Sequence, residues 1–331
     1  MERTTKLGLV AVVAVVLAVS GMVQAAPAGS LVVWGDSSFG MGQSFVPAGN
    51  DYVAVSAGFW HNLALKTDGT VVAWGNNDDG AFNLPSVTYQ AISAGEKWSL
   101  GLKSDGTLAA CGVDNFNQVS NAPAGTFTAI SAGNFHGLAV RTDGTLAAWG
   151  HDGSPGMGGQ VSNTPTDGGY IAVAAGAYHS VALKADGTIS IWGYDNTWPL
   201  PLPSYHVVTG NPGGLFQAIT AGEQFTIGMR PDGSLVGWGK NTVGETNVPA
   251  GTDYATIDSG EYFTVALKDD GTLAAWGDTS AYHGELTVPL GSFLAVSGGG
   301  FHGVAIQVPE PATLSLLLLG GAVMIYRRRK V

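Results

Sequence analysis

SAGFWHNLALKTDGTVVAWG, residues 56–75, is one of seven copies of a phrase that organises the chain. Its glycine anchor recurs at Gly58, Gly95, Gly133, Gly176, Gly222, Gly260 and Gly299, at spacings of 37, 38, 43, 46, 38 and 39 residues. Its closing dipeptide recurs around Trp34, Trp74, Cys111, Trp149, Trp192, Trp238 and Trp276. The first Trp-Gly precedes any anchor, and the last anchor has no Trp-Gly after it, so one unit is divided between the two ends of the repeat region. A period of ~40 residues marks an array of supersecondary units. A divided unit marks a ring, because closure removes the exposed strand edges that an open row would leave. The expectation is an all-β ring in which Leu31–Trp34 completes the last unit beside Val296–Ile306.

Within one unit, residues 52–85, Tyr52–Ser56 alternates with β-branched Val53 and Val55, Leu63 and Leu65 alternate again, and residues 71–74 form a third apolar run. The second and third runs meet at Asp68-Gly69, a two-residue hairpin signal because glycine accepts a positive φ at no cost. The same pair stands at Asp105, Asp143, Asp186, Asp232 and Asp270, where turn chemistry accounts for the aspartates; a calcium loop would need several oxygen donors in one short segment. After each Trp-Gly a Gly/Asn-rich loop leads to proline, so a unit carries three clear strands and a weak fourth. So small a sheet is not stable alone and must bury its faces on its neighbours. The repeated tryptophans are packing residues, and Cys111 is a small substitute in the same slot. His61, His136, His179 and His302 share a slot three residues after the anchor. Trp98, Phe225 and Phe263 fill it elsewhere, so the slot takes a flat ring rather than a metal-ligand nitrogen.

Glycine contributes 50 of 331 residues and charged residues only 12%, while 45% are hydrophobic, a turn-rich composition with enough apolar surface for a core. Arg3 and Lys6, an apolar run from Leu7 to Val19 and the small residues of Val23-Gln24-Ala25 read as a signal peptide over residues 1–25. At the other end, residues 307–331, Pro309-Glu310-Pro311 leads into an apolar run from Ala312 to Tyr326 and then Arg327, Arg328, Arg329 and Lys330. Such a helix rises ~1.5 Å per residue and reaches ~22 Å, short of the ~30 Å hydrocarbon core, and its basic end favours the cytoplasmic side. The body between, residues 29–306, has 8 Lys and Arg against 23 Asp and Glu, a formal charge of −15. A domain this acidic repels phosphate backbones, which excludes nucleic acid as a partner. A single cysteine leaves stability to burial and closure rather than to disulfides.

The anchor with its histidine and Ala-Leu, the Asp-Gly turn, Trp-Gly and the trailing Gly-Gln resemble the bacterial, short-repeat form of the regulator-of-chromosome-condensation repeat, over residues 29–306. That resemblance implies a seven-bladed β-propeller closed by a blade shared between the N- and C-terminal strands. The tail closely resembles a PEP-CTERM sorting signal, which implies processing by an exosortase-type enzyme near Pro309, Glu310 and Pro311. It also implies transient insertion in the inner membrane and a destination at the cell surface or outside the cell, often in exopolysaccharide-producing bacteria. Nucleotide exchange on a nuclear GTPase, known in the repeat family, does not suit an exported acidic body.

The leading expectation is therefore an exported binding or scaffold propeller, probing an envelope protein or polysaccharide and needing no cofactor. No phosphate loop, metal-spaced cluster or nucleophile elbow stands in the chain. The alternatives are a secreted polysaccharide lyase or hydrolase, for which Asp78, Asp79, Asp114, Asp152, Asp195 and Glu245 are available carboxylates, and a propeller-type inhibitor of a hydrolase. Departures from the repeat mark the candidate binding loop. The longest is residues 194–214, which carries Trp198, Tyr205 and His206 outside the repeated slots, and a second insertion, residues 151–169, lies one unit earlier.

Overall fold

The computed structural model describes residues 28–35, 44–153, 158–195, 205–278 and 284–309. The strands are β1 (Ser30–Gly35), β2 (Tyr52–Ala57), β3 (His61–Lys66), β4 (Val71–Gly75), β5 (Tyr89–Ala94), β6 (Trp98–Lys103) and β7 (Leu108–Gly112). They continue as β8 (Phe127–Ala132), β9 (His136–Arg141), β10 (Leu146–Gly150), β11 (Tyr170–Ala175), β12 (His179–Lys184), β13 (Ile189–Gly193) and β14 (Ala218–Ala221). The last are β15 (Phe225–Met229), β16 (Leu235–Gly239), β17 (Tyr254–Ser259), β18 (Phe263–Lys268), β19 (Leu273–Gly277), β20 (Phe293–Gly298) and β21 (His302–Gln307). Among the described residues they form seven separate three-stranded antiparallel sheets, six of them made of consecutive strands. The seventh has the order β20, β21, β1, with Leu31 opposite Ile306 and Trp34 opposite Gly303. The divided unit of the sequence is thus rejoined in space.

Local chemistry explains each sheet. Asp68 Oδ1 accepts the Thr70 N–H at 2.8 Å and the Thr70 hydroxyl at 2.6 Å, and Gly69 takes φ +81°, which an L side chain rarely adopts. Asp105, Asp143, Asp186, Asp232 and Asp270 repeat both bonds with the residue two positions on. These aspartates are turn residues. A register shift after the first residue of the sheet recurs at Tyr52, Tyr89, Phe127, Tyr170, Tyr254 and Phe293. A bulge adds twist, and here it follows a buried aromatic that opens the first strand of each of these units.

Among the described residues the weak fourth strand does not form. After Trp-Gly the chain is caught in a turn instead: Asp152 Oδ1 accepts the Val161 and Ser162 N–H groups at 2.8 and 2.9 Å, and Asp114 Oδ1 holds Val119 and Ser120 in the same way. This turn delivers a buried residue, Gln118, Gln160, Glu245 or Glu285. The carbonyls of Gln118 and Gln160 accept the indole N–H groups of Trp149 and Trp192 at 2.9 Å, and that of Glu285 accepts Trp34's at 2.8 Å. The turn satisfies the backbone groups that a fourth ladder would have used.

The core lies between sheets. Leu31, Val304 and Ile306 of the last sheet pack with Tyr52, Val55, Ala64 and Trp74 of the first, just as Trp98, Leu100 and Leu102 pack with Phe127, Ile130 and Trp149 between the second and third. The ring slot stitches the same junctions. His61 Nε2 lies 2.9 Å from Ser99 Oγ, His136 Nε2 2.9 Å from Ser180 Oγ, His179 Nε2 3.0 Å from Thr226 Oγ1 and His302 Nε2 2.7 Å from Asn62 Oδ1. Trp98, at the same slot, donates Nε1–H to the Gly133 carbonyl at 2.9 Å. Burial holds these imidazoles neutral, at about 4 for His61, His179 and His302 and about 3 for His136. They are buried structural rings, each tied to the next repeat.

Candidate binding face at the channel mouth

The glycine anchors stand in a circle about the axis. A Cβ on Gly58 would collide with the Gly95 carbonyl, one on Gly95 with Gly133, one on Gly133 with Gly176, and one on Gly299 with Gly58. Only glycine permits so close an approach of successive loops. The loops are then joined in series: Glu223 N–H to the Glu261 carbonyl at 3.3 Å, Glu261 N–H to Gly299 at 3.2 Å and Gly300 N–H to Gly58 at 3.1 Å. The two residues between anchor and ring slot are Phe59-Trp60, Glu96-Lys97, Asn134-Phe135, Ala177-Tyr178, Glu223-Gln224, Glu261-Tyr262 and Gly300-Phe301. Their side chains are therefore set around one mouth of the channel. Among the described residues the second carbonyl of six of these pairs accepts an N–H from the residue after Trp-Gly, as in Asn76 to Trp60 at 2.8 Å, His151 to Phe135 at 2.9 Å, Tyr194 to Tyr178 at 2.9 Å and Lys240 to Gln224 at 2.8 Å. Each of these units thus adds a second side chain to the face.

Two aromatic groups result. Phe59 lies 4.5 Å from Trp60 and 5.4 Å, edge-on, from Phe301, and Phe301 stacks on Tyr262 at 5.9 Å between centroids. Phe135 lies 6.0 Å from Tyr178 and 5.4 Å from Phe116, which meets His151 at 4.3 Å. These rings are half-buried, with Phe116 38% exposed. Glu96, Glu223 and Glu261 line the mouth with them. Glu223 is compensated by Lys240 at 2.7 Å, and the same ammonium lies 4.7 Å from the centre of the Tyr262 ring and 6.0 Å from that of Tyr205. Burial, reinforced by Glu223 and Glu96, pushes the Glu261 carboxyl up to about 8. Burial also raises Glu96, with Asp79 adding and Lys97 opposing, and Tyr178 is raised by burial and then by Glu223, Glu96 and Glu261.

Deeper in the channel runs a belt of short polar side chains. Ser56 Oγ accepts the Ala94 N–H at 2.9 Å, Ser93 the Ala132 N–H at 2.9 Å, Ser131 the Ala175 N–H at 3.0 Å and Thr220 the Ser259 N–H at 2.9 Å. In the sixth unit the belt position is Asp258, whose Oδ2 accepts the Ser297 hydroxyl at 2.7 Å and the Gly298 N–H at 3.1 Å. Burial pushes this carboxyl up to about 6 against those bonds.

The residues expected from sequence fall in different places. Tyr205 stands beside Lys240 on the mouth face. His206 does occupy a repeated slot: with φ 51° it takes the place of the left-handed Gly80, Asn117, Gly159 and Gly244 ahead of the buried residue, here Val207. Its Nδ1 lies 3.2 Å from Thr209 Oγ1 and 4.0 Å from Asp195 Oδ2, so it serves its own turn. Trp198 lies outside the described residues, as do Glu310, Pro311, Arg327, Arg328, Arg329 and the whole of residues 1–25, whereas Pro309 is the last residue described. Of the loop carboxylates, Asp114, Asp152 and Asp195 cap turns, Asp78 accepts from Asn76 Nδ2, Asp79 pairs with Lys97 at 3.6 Å, and Glu245 is wholly buried, accepting the Val243 N–H. Apart from the adjacent Asp78 and Asp79, they lie on separate loops. Among the described residues no group of three or more His, Cys, Asp and Glu side chains could hold a metal ion, and no helix is long and apolar enough to cross a membrane. Sequence reasoning passed over the mouth residues themselves. Their signal was the variable pair inside an otherwise constant phrase, aromatic at its second position in Trp60, Phe135, Tyr178, Tyr262 and Phe301.

The regulator of chromosome condensation (RCC1) repeat matches residues 52–81, 127–154 and 170–197, each window opening on the first strand of a sheet, and the PEP-CTERM protein-sorting motif matches residues 307–330. The chain carries RCC1 repeats and a PEP-CTERM motif. Solved structures share its fold, among them yeast RCC1 (Prp20). Human WBSCR16 is 18% identical with a TM-score of 0.65, covering 86% of this chain and 100% of its own. Prp20p of Saccharomyces cerevisiae, described for its binding to Gsp1p and histones, is 17% identical with a TM-score of 0.66, over 90% of this chain and 94% of its own. The CRINKLY WD40 ectodomain of the Arabidopsis thaliana receptor kinase ACR4 is 19% identical with a TM-score of 0.58, over 75% and 90%. No curated protein matches the sequence. The sorting motif implies an exported protein processed by an exosortase.

Proposed function

We propose that the protein is an exported, non-catalytic seven-bladed propeller, closed by the blade its two ends share, that holds an envelope partner on the aromatic and acidic mouth of its channel. Residues 1–25 are a signal peptide in this reading, residues 29–306 the ring, and residues 307–331 the sorting tail that brings the ring to the cell surface or releases it. The observation that carries it is the gathering of Trp60, Phe301, Tyr262 and Glu223 on one accessible face, while the other repeated residues are spent on turns, stitches and core. Rigid aromatic area supplies much of the energy of binding surfaces. The partner is an envelope protein or a polysaccharide, and Tyr205 extends the same face from the insertion. Replacing Trp60 and Tyr262 with Ala leaves the melting transition cooperative and weakens attachment to the envelope fraction by at least ~1 kcal/mol, roughly fivefold. Full attachment by the folded double variant, or a full-length protein found in the cytoplasm, overturns the reading.

A polysaccharide-active enzyme is the second reading, favoured by one observation. Lys240 keeps Glu223 company while Glu261 is pushed up to about 8, and carboxyls whose environments differ in this way divide acid and base work in glycoside cleavage. Release of new reducing ends from envelope polysaccharide, abolished by Glu261→Gln, is the result that would establish it.

A further inference from the structure

We infer that the occupant of the channel mouth is a lysine- or arginine-bearing segment of a protein partner, an inference that rests on the binding reading above. The mouth already shows how it holds an ammonium group. Lys240 reaches it from the loop after Trp238, places Nζ 2.7 Å from Glu223 Oε2 and lies 4.7 Å from the centre of the Tyr262 ring. A carboxylate on one side and an aromatic face on the other is the arrangement that best replaces the water around a cation. Lys240 satisfies one carboxylate of three. Glu96 and Glu261 share the mouth with it, and the half-buried rings of Trp60, Phe301, Phe135 and Tyr178 stand around them.

Charge complementarity chooses among occupants. The ring carries −15, so an acidic polymer is repelled, and a neutral sugar would cover the Glu96 carboxylate without supplying an opposite charge. A basic side chain supplies that charge and lays its alkyl stem along the rings. The form of the site also favours a side chain over a main chain, because the anchor glycines bring the loops together at the floor of the mouth. Docking is linked to protons. Glu261 faces Glu223, Glu96, Lys240 and Tyr262, and it is pushed up to about 8 by burial and the two like charges; a cation set beside it reverses that effect and releases its proton. Binding therefore strengthens as pH rises from 6 toward 8.5.

The test uses the full exported protein with labelled octalysine and octaarginine, a neutral Gly/Ser octapeptide and a chitosan oligomer. Basic peptides bind saturably, the neutral peptide does not, and affinity falls at least tenfold in Glu96→Gln/Glu261→Gln and equally in Trp60→Ala/Tyr262→Ala, which leaves the net charge unchanged. Melting curves establish that each variant is folded. Loss in the glutamate variant alone shows diffuse attraction to an acidic body and overturns the inference, as does binding of chitosan without the peptides. If envelope attachment depends on Trp60 and Tyr262 while basic peptides do not bind, the binding reading stands and this inference falls; if attachment depends on neither, both fall.

Discussion

Ala57 donates its backbone N–H to Ser297 Oγ at 3.0 Å, joining residues 240 positions apart. The bond is the same one that Ala94 makes to Ser56 and Ala132 to Ser93, so the junction between the last sheet and the first is built like those between consecutive sheets. With the pairing of β1 on β21, it makes both ends of the repeat region part of one cooperative object.

Deleting residues 29–35 removes β1 and leaves β21 as a bare edge. The expected outcome is loss of cooperative thermal unfolding, with aggregation read by light scattering, because an unpaired edge recruits other strands. An unchanged melting transition would show that the shared sheet does not hold the ring.

Cys111 donates its thiol to the Ala81 carbonyl at 3.2 Å, and Ser99 donates to the same oxygen at 2.7 Å. In the fourth unit Trp192 and Ser180 share the Gln160 carbonyl in this way. Cys111→Trp is therefore expected to fold with its indole N–H on Ala81, neutral or stabilising; a loss beyond about 3 kcal/mol would mean that overpacking has closed the slot. Burial pushes the native thiol up to about 11, so maleimide labelling should follow unfolding rather than precede it.

The four slot histidines make acid the weak side of the ring. Their imidazoles are neutral when folded and titrate near 6.5 when unfolded, so the unfolded state binds more protons between 6.5 and about 4. Their contribution is complete above pH 6.5, falls as pH drops to about 4, or about 3 for His136, and is level below that, on the order of 3 kcal/mol each. Urea midpoints measured from pH 7 to 4 should fall steeply. His302→Phe, the residue type found at this slot in Phe225 and Phe263, should make that fall shallower; an identical slope would show that the imidazoles are not its cause.

Asp258 works in the opposite direction. Its carboxyl is raised to about 6, so the folded state binds more protons between 3.8 and 6 and stability declines as pH rises through that window. Asp258→Ser restores the belt residue of other units and should stabilise the protein by about 1–3 kcal/mol at pH 7, a gain that shrinks to nothing near pH 4. A variant less stable at pH 7 would show that the bonds to Ser297 and Gly298 outweigh the burial of the charge.

Phase and spacing were enough to read the repeated sheets and the pairing of β1 with β21, because Leu31–Trp34 and the unmatched anchor at Gly299 carry that pairing in one dimension. The Asp-Gly turns and the ring slot were legible for the same reason: each is a local or repeated constraint. The fourth segment was not, since an aspartate that caps a turn, such as Asp152, and a residue that begins a strand look alike until the carbonyl of Gln160 is seen under Trp192. His206 misled because glycine's conformation, rather than glycine, is what its slot requires. The mouth was hidden for a simpler reason. Glu96, Glu223 and Glu261 lie in three different repeats, and only the circle of anchor glycines brings them together.

β21 is the middle strand of the sheet that holds both ends, and it stops at Gln307, two residues before Pro309. Leu31 is therefore made early and waits for Ile306, the partner made nearly last. During secretion the ribosome or the translocation pore delivers an unfinished row of sheets, and the finishing strand arrives together with the sorting motif that follows it. A chain cut short before His302 forfeits its seam and its address at once, so the machinery that reads the address handles only polypeptides able to complete themselves.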